Sequence, residues 1–134
     1  MRNKALLLPV LLVLVVVACG SGTNSDPTGR AWNLTELEGD AVVEGTTIDL
    51  TITEDSISGN AGCNTYNGSV ELDTEASTMT VGADVVSTMM ACEEPIMAQE
   101  QKYLDALTRV TSYELAADEL ILKDAQGIAI LTFN

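Results

Sequence analysis

The chain has 134 residues, three cysteines, no histidine and a formal charge of −14 at pH 7. That length accommodates one domain with a modest core. So acidic a balance excludes nucleic acid as a partner, since phosphate binding needs a cationic track. The lack of histidine removes the usual base for a Ser or Cys nucleophile and a usual zinc ligand.

Met1-Arg2-Asn3-Lys4 is a short basic start, and Ala5 to Ala18 form an apolar run interrupted only by Pro9. Such a start, run and small final residue describe a secretory signal peptide over residues 1–18. The run is shorter than the roughly 20 apolar residues that a transmembrane helix needs. An uncleaved N-terminal anchor is the plainer alternative. Val16-Val17-Ala18-Cys19 reads as a lipoprotein cleavage site, with Val16 where Leu is usual. Cleavage there frees Cys19 for lipidation, and several acyl chains hold a protein where one binds only marginally. The expected location is therefore the cell envelope, membrane-anchored and facing the extracytoplasmic side. Gly20 is not the Asp associated with inner-membrane retention, so a two-membrane host would send the protein outward.

Residues 19–29 contain little to bury and read as a lipid-anchored flexible tether, whose ten residues after Cys19 have a coil reach of roughly 15–20 Å. The domain is expected over residues 30–134. Beyond Cys19 only Arg30, Lys102, Arg109 and Lys123 are basic, against all twenty acids, for a formal charge of −16. An anionic lipid surface would repel this body, so the lipid itself must supply the attachment. Solubility, or life in a salty medium, explains such acidity most simply; an acidic face that meets a basic partner or cations is the sharper reading. No carboxylate spacing resembles a calcium loop.

Alternation dominates the domain. Trp32, Leu34 and Leu37 mark a first strand. Ile48, Leu50 and Ile52 alternate with polar residues as a half-buried strand does, and Ser56 to Gly59 follow the Glu54-Asp55 turn as its hairpin partner. Tyr66, Gly68, Val70 and Leu72 predict another strand, Met79 with Val81 a short one, and Val85 to Met89 a further one. Glu93-Glu94-Pro95 then opens a helix predicted to run to Val110, with Pro near the first position and acids at the positive end of the dipole. Ile96, Met97, Tyr103, Leu104, Leu107 and Val110 form its apolar face; Gln99, Glu100, Lys102, Asp105 and Arg109 fill much of the other. Asp105 and Arg109, four apart, are placed to pair. Tyr113 with Leu115, Leu120 with Leu122, and Ile130, Leu131 and Phe133 predict the last three strands.

These are about eight short strands and one helix, without βαβ alternation. The fold class is mainly β (α+β): a small curved antiparallel sheet or cracked β-barrel with one helix packed on it.

Few residues offer chemistry. Cys63 and Cys92 remain after Cys19 is lipidated, an even pair in an oxidising compartment, and are expected to form a disulfide. In the chain-entropy model, closing a loop of about 30 residues stabilises by roughly 3–4 kcal/mol. A redox or nucleophilic cysteine lacks a C-x-x-C motif and a base. Two cysteines without histidine make a poor zinc site, so no metal or cofactor is expected. No G-x-S-x-G elbow occurs. Asn33-Leu34-Thr35 and Asn67-Gly68-Ser69 match glycosylation sequons, which carry no weight in a bacterial-type lipoprotein. Gly62-Cys63-Asn64-Thr65-Tyr66-Asn67-Gly68 is either a binding loop or, more plainly, a tight turn into a strand. Tyr66 then packs inward with its hydroxyl satisfied. Met79, Met89, Met90 and Met97 either line an adaptable apolar groove or fill core gaps in place of scarce aromatics.

Taken in order, Trp32-x-Leu34, Gly62-Cys63-Asn64-x-Tyr66-x-Gly68, Thr88-x-Met90-Ala91-Cys92, Glu100 with Tyr103, Leu104 and Leu107, Leu120-x-Leu122, Gly127 and Leu131-x-Phe133 resemble the META domain family, HslJ-like, across nearly all of the mature chain. The resemblance implies a cracked barrel with one helix and no catalytic residues to carry over. It also implies biological associations: heat response and drug tolerance in bacteria, motility or secretion in parasites, and, for some members, the shape of pilot lipoproteins. The expected function is a non-catalytic envelope lipoprotein with a binding or structural role in envelope or stress response. The alternative is a pilot-like or carrier lipoprotein that binds an acyl chain or an apolar partner peptide. A cavity beside the helix, lined by Met89, Met90, Met97 and Leu104, distinguishes the alternative.

Overall fold

The computed structural model describes residues 26–134. The expected signal peptide, Cys19 and the first part of the expected tether lie outside them. Ten strands and one helix follow in the order β1 (Ala31–Leu37), β2 (Asp40–Ala41), β3 (Asp49–Ile52), β4 (Ser56–Asn60), β5 (Thr65–Asp73), β6 (Thr78–Val81), β7 (Val86–Ser87), α1 (Glu94–Thr108), β8 (Ser112–Ala116), β9 (Glu119–Lys123) and β10 (Ala129–Phe133). The alternation read from sequence corresponds to real strands. The two-residue β2 is too short for periodicity to reveal, and the strand expected over Val85 to Met89 shrinks to β7.

All the strand pairings are antiparallel, and the sheet runs β10-β9-β8-β6-β5-β4-β3-β1-β2, with β10 also pairing β1. It therefore curves round on itself. One join is thin: β6 and β8 share a single ladder pair, Thr78↔Ser112, where β5 and β6 share four. The result is a cracked, curved sheet rather than a closed barrel, with α1 packed on it. Curvature has local causes. The β1–β10 register shifts between Leu34 and Glu36, and β10–β9 shifts between Ala129 and Leu131. Bulges of this kind bend and twist a strand. The second also explains how the adjacent Ile130 and Leu131 are both buried.

The interior is filled by side chains. Trp32, Ile48, Leu50, Ile52, Ile57, Met79, Tyr103, Leu107, Leu120, Leu122, Leu131 and Phe133 are almost fully buried. Tyr103 of α1 stands edge-on to Tyr66 of β5 (centroids 5.6 Å apart) and to Phe133 of β10 (6.5 Å), an arrangement that aromatic quadrupoles favour. The helix is thus held by the centre of the core. Packing begins before Arg30: Pro27 is buried, and its carbonyl accepts the Trp32 indole N–H at 2.8 Å. The chain is therefore docked from Pro27, within the stretch read as tether.

β3 and β4 approach closely at one point. A side-chain carbon on Gly59 would lie 2.1 Å from the Asp49 carbonyl oxygen, a backbone atom that cannot rotate away. Gly59→Ala is expected to destabilise the domain by about 2–3 kcal/mol, the upper range for overpacking, read as a lower denaturant midpoint with unchanged m-value.

Candidate functional site

The distinctive sequence blocks meet at one end of the barrel, where the turn after β4, the segment after β7 and the first half of α1 converge. Helix α1 starts as its sequence suggests, with proline in the first turn and Glu94 acidic beside it. Asp105 and Arg109 pair at 3.2 Å. The expected outer face needs correction, however. Gln99 and Glu100 are buried, each only 7 % exposed. Glu100 lies three residues before Tyr103 and seven before Leu107, so it shares their stripe on the helix. That spacing was the available signal for its position.

A buried carboxylate is costly unless donors meet its oxygens, and Glu100 finds three. Its Oε2 accepts the backbone N–H groups of Cys63 (3.1 Å) and Asn64 (2.7 Å), and its Oε1 accepts the Asn64 amide Nδ2 at 2.7 Å. Asn64 is equally committed. Its Oδ1 accepts the Thr88 hydroxyl (2.9 Å) and the Met90 N–H (2.7 Å), while Nδ2 also donates to the Met90 carbonyl at 3.3 Å. The Cys63–Cys92 disulfide closes the same knot, with Cα atoms 6.1 Å apart. Gln99 makes a parallel tie: its Oε1 accepts Val43 N–H at 2.6 Å and its Nε2 donates to the Thr46 hydroxyl at 3.0 Å.

The glycines of the motif have separate reasons. Gly62 has φ +112, a conformation side-chain-bearing residues avoid. Gly68 faces Val85, whose Cγ2 and Cα would stand 2.8 Å and 3.1 Å from an added carbon. Tyr66 packs inward as expected. Its hydroxyl donates to the Asp49 carbonyl at 2.8 Å, so the 2.7 Å contact with Tyr103 must be a bond that Tyr103 donates. Gly62, Asn64, Tyr66 and Gly68 thus all take part in holding the loop.

The methionines divide differently. Met79 is core. Met89, Met90 and Met97 are 97 %, 59 % and 39 % exposed, so they do not replace core aromatics. They border a groove of about 290 Å³ between the segment Ser87-Thr88-Met89-Met90-Ala91 and the helix residues Met97, Glu100, Gln101 and Leu104, with Asn64 beneath. The knot forms the floor of this groove, so Thr88 and Met90 belong both to the latch and to the exposed surface.

The sequence matches the META domain model over residues 25–134. The chain belongs to the META domain family. Among solved structures, this META domain is similar to an NMR structure of a protein from Burkholderia xenovorans. The two are 30 % identical with a TM-score of 0.60, over 80 % of this chain and 81 % of that one. A second NMR structure is 22 % identical with a TM-score of 0.60, over 78 % and 87 % of the two chains. A crystal structure of a DUF4847 family protein from Bacteroides vulgatus is 15 % identical with a TM-score of 0.50, over 64 % and 57 %. The last two show likeness of fold alone. No curated protein matches the chain.

Glu100→Gln replaces one acceptor oxygen by an NH₂ facing a buried donor. It is expected to cost about 2–3 kcal/mol in denaturant unfolding and to speed amide exchange at Cys63 and Asn64. Burial pushes the Tyr66 and Tyr103 hydroxyls well above the ordinary tyrosine range. A group raised in the folded state contributes stability that is full below its unfolded pKa, about 10, and is lost as pH rises beyond it. In an alkaline titration the phenolate absorbance of these two tyrosines should therefore appear only together with loss of the β-sheet signal in circular dichroism.

Proposed function

We propose that this META domain is the extracytoplasmic body of a non-catalytic envelope lipoprotein, held to the membrane by lipidated Cys19, and that it acts by binding at the methionine groove. The observation that carries the reading is the exposure of Met89, Met90 and Met97 around one groove on a segment fixed by Asn64, Thr88 and the disulfide. The backbone of this segment is ordered, yet its apolar side chains gain no burial to offset that ordering. A binding surface accounts for that arrangement, and methionine suits an adaptable one.

The lipobox-like Val16-Val17-Ala18-Cys19 supports the anchor. A role in envelope stress follows from the associations of the family. The carrier alternative divides in two. An acyl chain inside the barrel would have to displace a packed core, which speaks against that form. An apolar peptide in the open groove fits the volume and its lining.

Attachment is tested in the producing cells by feeding an alkyne-tagged fatty acid. The native chain should take up the tag and sediment with membranes. Cys19→Ala should lose the tag and leave the membrane fraction; unchanged tagging and sedimentation would remove Cys19 from the attachment. Binding at the groove is tested by placing a photocrosslinking amino acid at Met89 in the same cells. Discrete adducts are expected there and not at exposed Glu119, on the far hairpin; equal yields at both would contradict a role for the groove.

A further inference from the structure

We infer that the groove takes an extended segment of a partner protein in which bulky apolar side chains alternate with lysine or arginine. This rests on the binding role proposed above and names its occupant. Three features select it. First, the groove adjoins β7, which pairs with β5 and with no other strand among the described residues. The other edge of β7 is open, and an extended chain can add there through main-chain hydrogen bonds while its alternate side chains enter a pocket. Here the pocket walls are Met89, Met90, Met97 and Leu104.

Second, the flanking charge has one sign. Asp84 precedes β7 by two residues, and Glu93 and Glu94 open α1; all three are exposed, and none forms an ion pair among the described residues. Among the described residues the basic side chains are already engaged: Arg30 with Asp118, Lys102 with Glu38 and Asp40, Arg109 with Glu38 and Asp105, and Lys123 with Glu114. A cationic partner meets unneutralised carboxylates, and the field also speeds its approach.

Third, the groove lies away from the attachment. Asp26 and Thr28 share a polar hollow with Glu54, Leu72 and Thr74, at the Asp73 end of β5. The groove lies at the Thr65 end, about 26 Å off at roughly 3.3 Å per residue. The chain between Cys19 and Asp26 spans at most about 25 Å. The groove and the point where the chain leads back toward Cys19 thus lie at opposite ends of β5, and the carboxylates beside the groove disfavour an anionic lipid surface.

The test uses the full chain in nanodiscs and fluorescent synthetic peptides of about ten residues, read by anisotropy. A peptide alternating Leu with Lys should bind. Peptides alternating Leu with Glu, or Ser with Lys, should bind at least about tenfold more weakly, a difference of roughly 1.4 kcal/mol. N-methylation of every second amide in the Leu–Lys peptide should weaken it to the same degree. Met89→Ser with Met97→Ser should reduce affinity about tenfold with circular dichroism unchanged. Should the double variant unfold, Met89→Ser alone, at a nearly fully exposed side chain, carries the comparison. Glu93→Gln with Glu94→Gln should lower both affinity and its salt dependence. The inference is overturned if the Leu–Lys peptide does not bind, if either control peptide or the N-methylated one binds equally, or if the methionine or glutamate changes have no effect. If crosslinking at Met89 nevertheless yields discrete adducts, the binding role stands and only the chemistry assigned to its occupant falls.

Discussion

An uncompensated carboxylate inside a small β-domain costs several kcal/mol, and the way this chain meets that cost organises one whole end of the molecule. No cation among the described residues pairs with Glu100. Three N–H donors from Cys63 and Asn64 surround it instead, and hydrogen bonds to an ionised acceptor are stronger than neutral ones. Those donors are available only if the backbone turns sharply at Gly62 and places Asn64 under the helix. Asn64 in turn reaches Thr88 and Met90, and the disulfide fixes the same segment from Cys92. Removing Glu100 or Asn64 leaves buried polar groups of the other unmatched.

Position and rigidity follow together. The helix is held first by Tyr103, set into the core between Tyr66 and Phe133. Its second contact is the polar knot, and its third is Gln99 bonded to Val43 and Thr46. Held at these points, α1 keeps a fixed separation from the segment after β7. The groove is the gap between them. Its methionine walls therefore stand on a braced floor; in the proposed binding role that arrangement lowers the ordering cost of association while the side chains themselves remain adaptable.

Charge has a separate logic from packing. The few cations among the described residues sit in surface pairs, of which the most connected is Glu38 with Arg109 and Lys102. These partners hold the Glu38 carboxyl below its usual range, chiefly through the Arg109 hydrogen bond. Most remaining acids are solvated and face outward. In the proposed binding role, those beside the groove give its apolar surface a preference of sign.

The sequence by itself determined the strands, the helix and the family. Period-two and helical spacing survive any tertiary arrangement, because each residue type must face either core or water. It also determined the disulfide, since Cys63 and Cys92 were an even pair, and the inward packing of Tyr66. Glu100 was less legible: its place on the apolar stripe was readable, but an acid on that stripe has meaning only once donors from Cys63 and Asn64 are seen opposite it. The methionines were undecidable in one dimension, because Met79 and Met89 have the same chemistry and differ only in what surrounds them. Tertiary structure decided that one fills the core and that the other, with Met90 and Met97, lines a groove. The physical reason is that a groove is a relation between two elements distant along the chain, and local spacing records each element but not the gap between them.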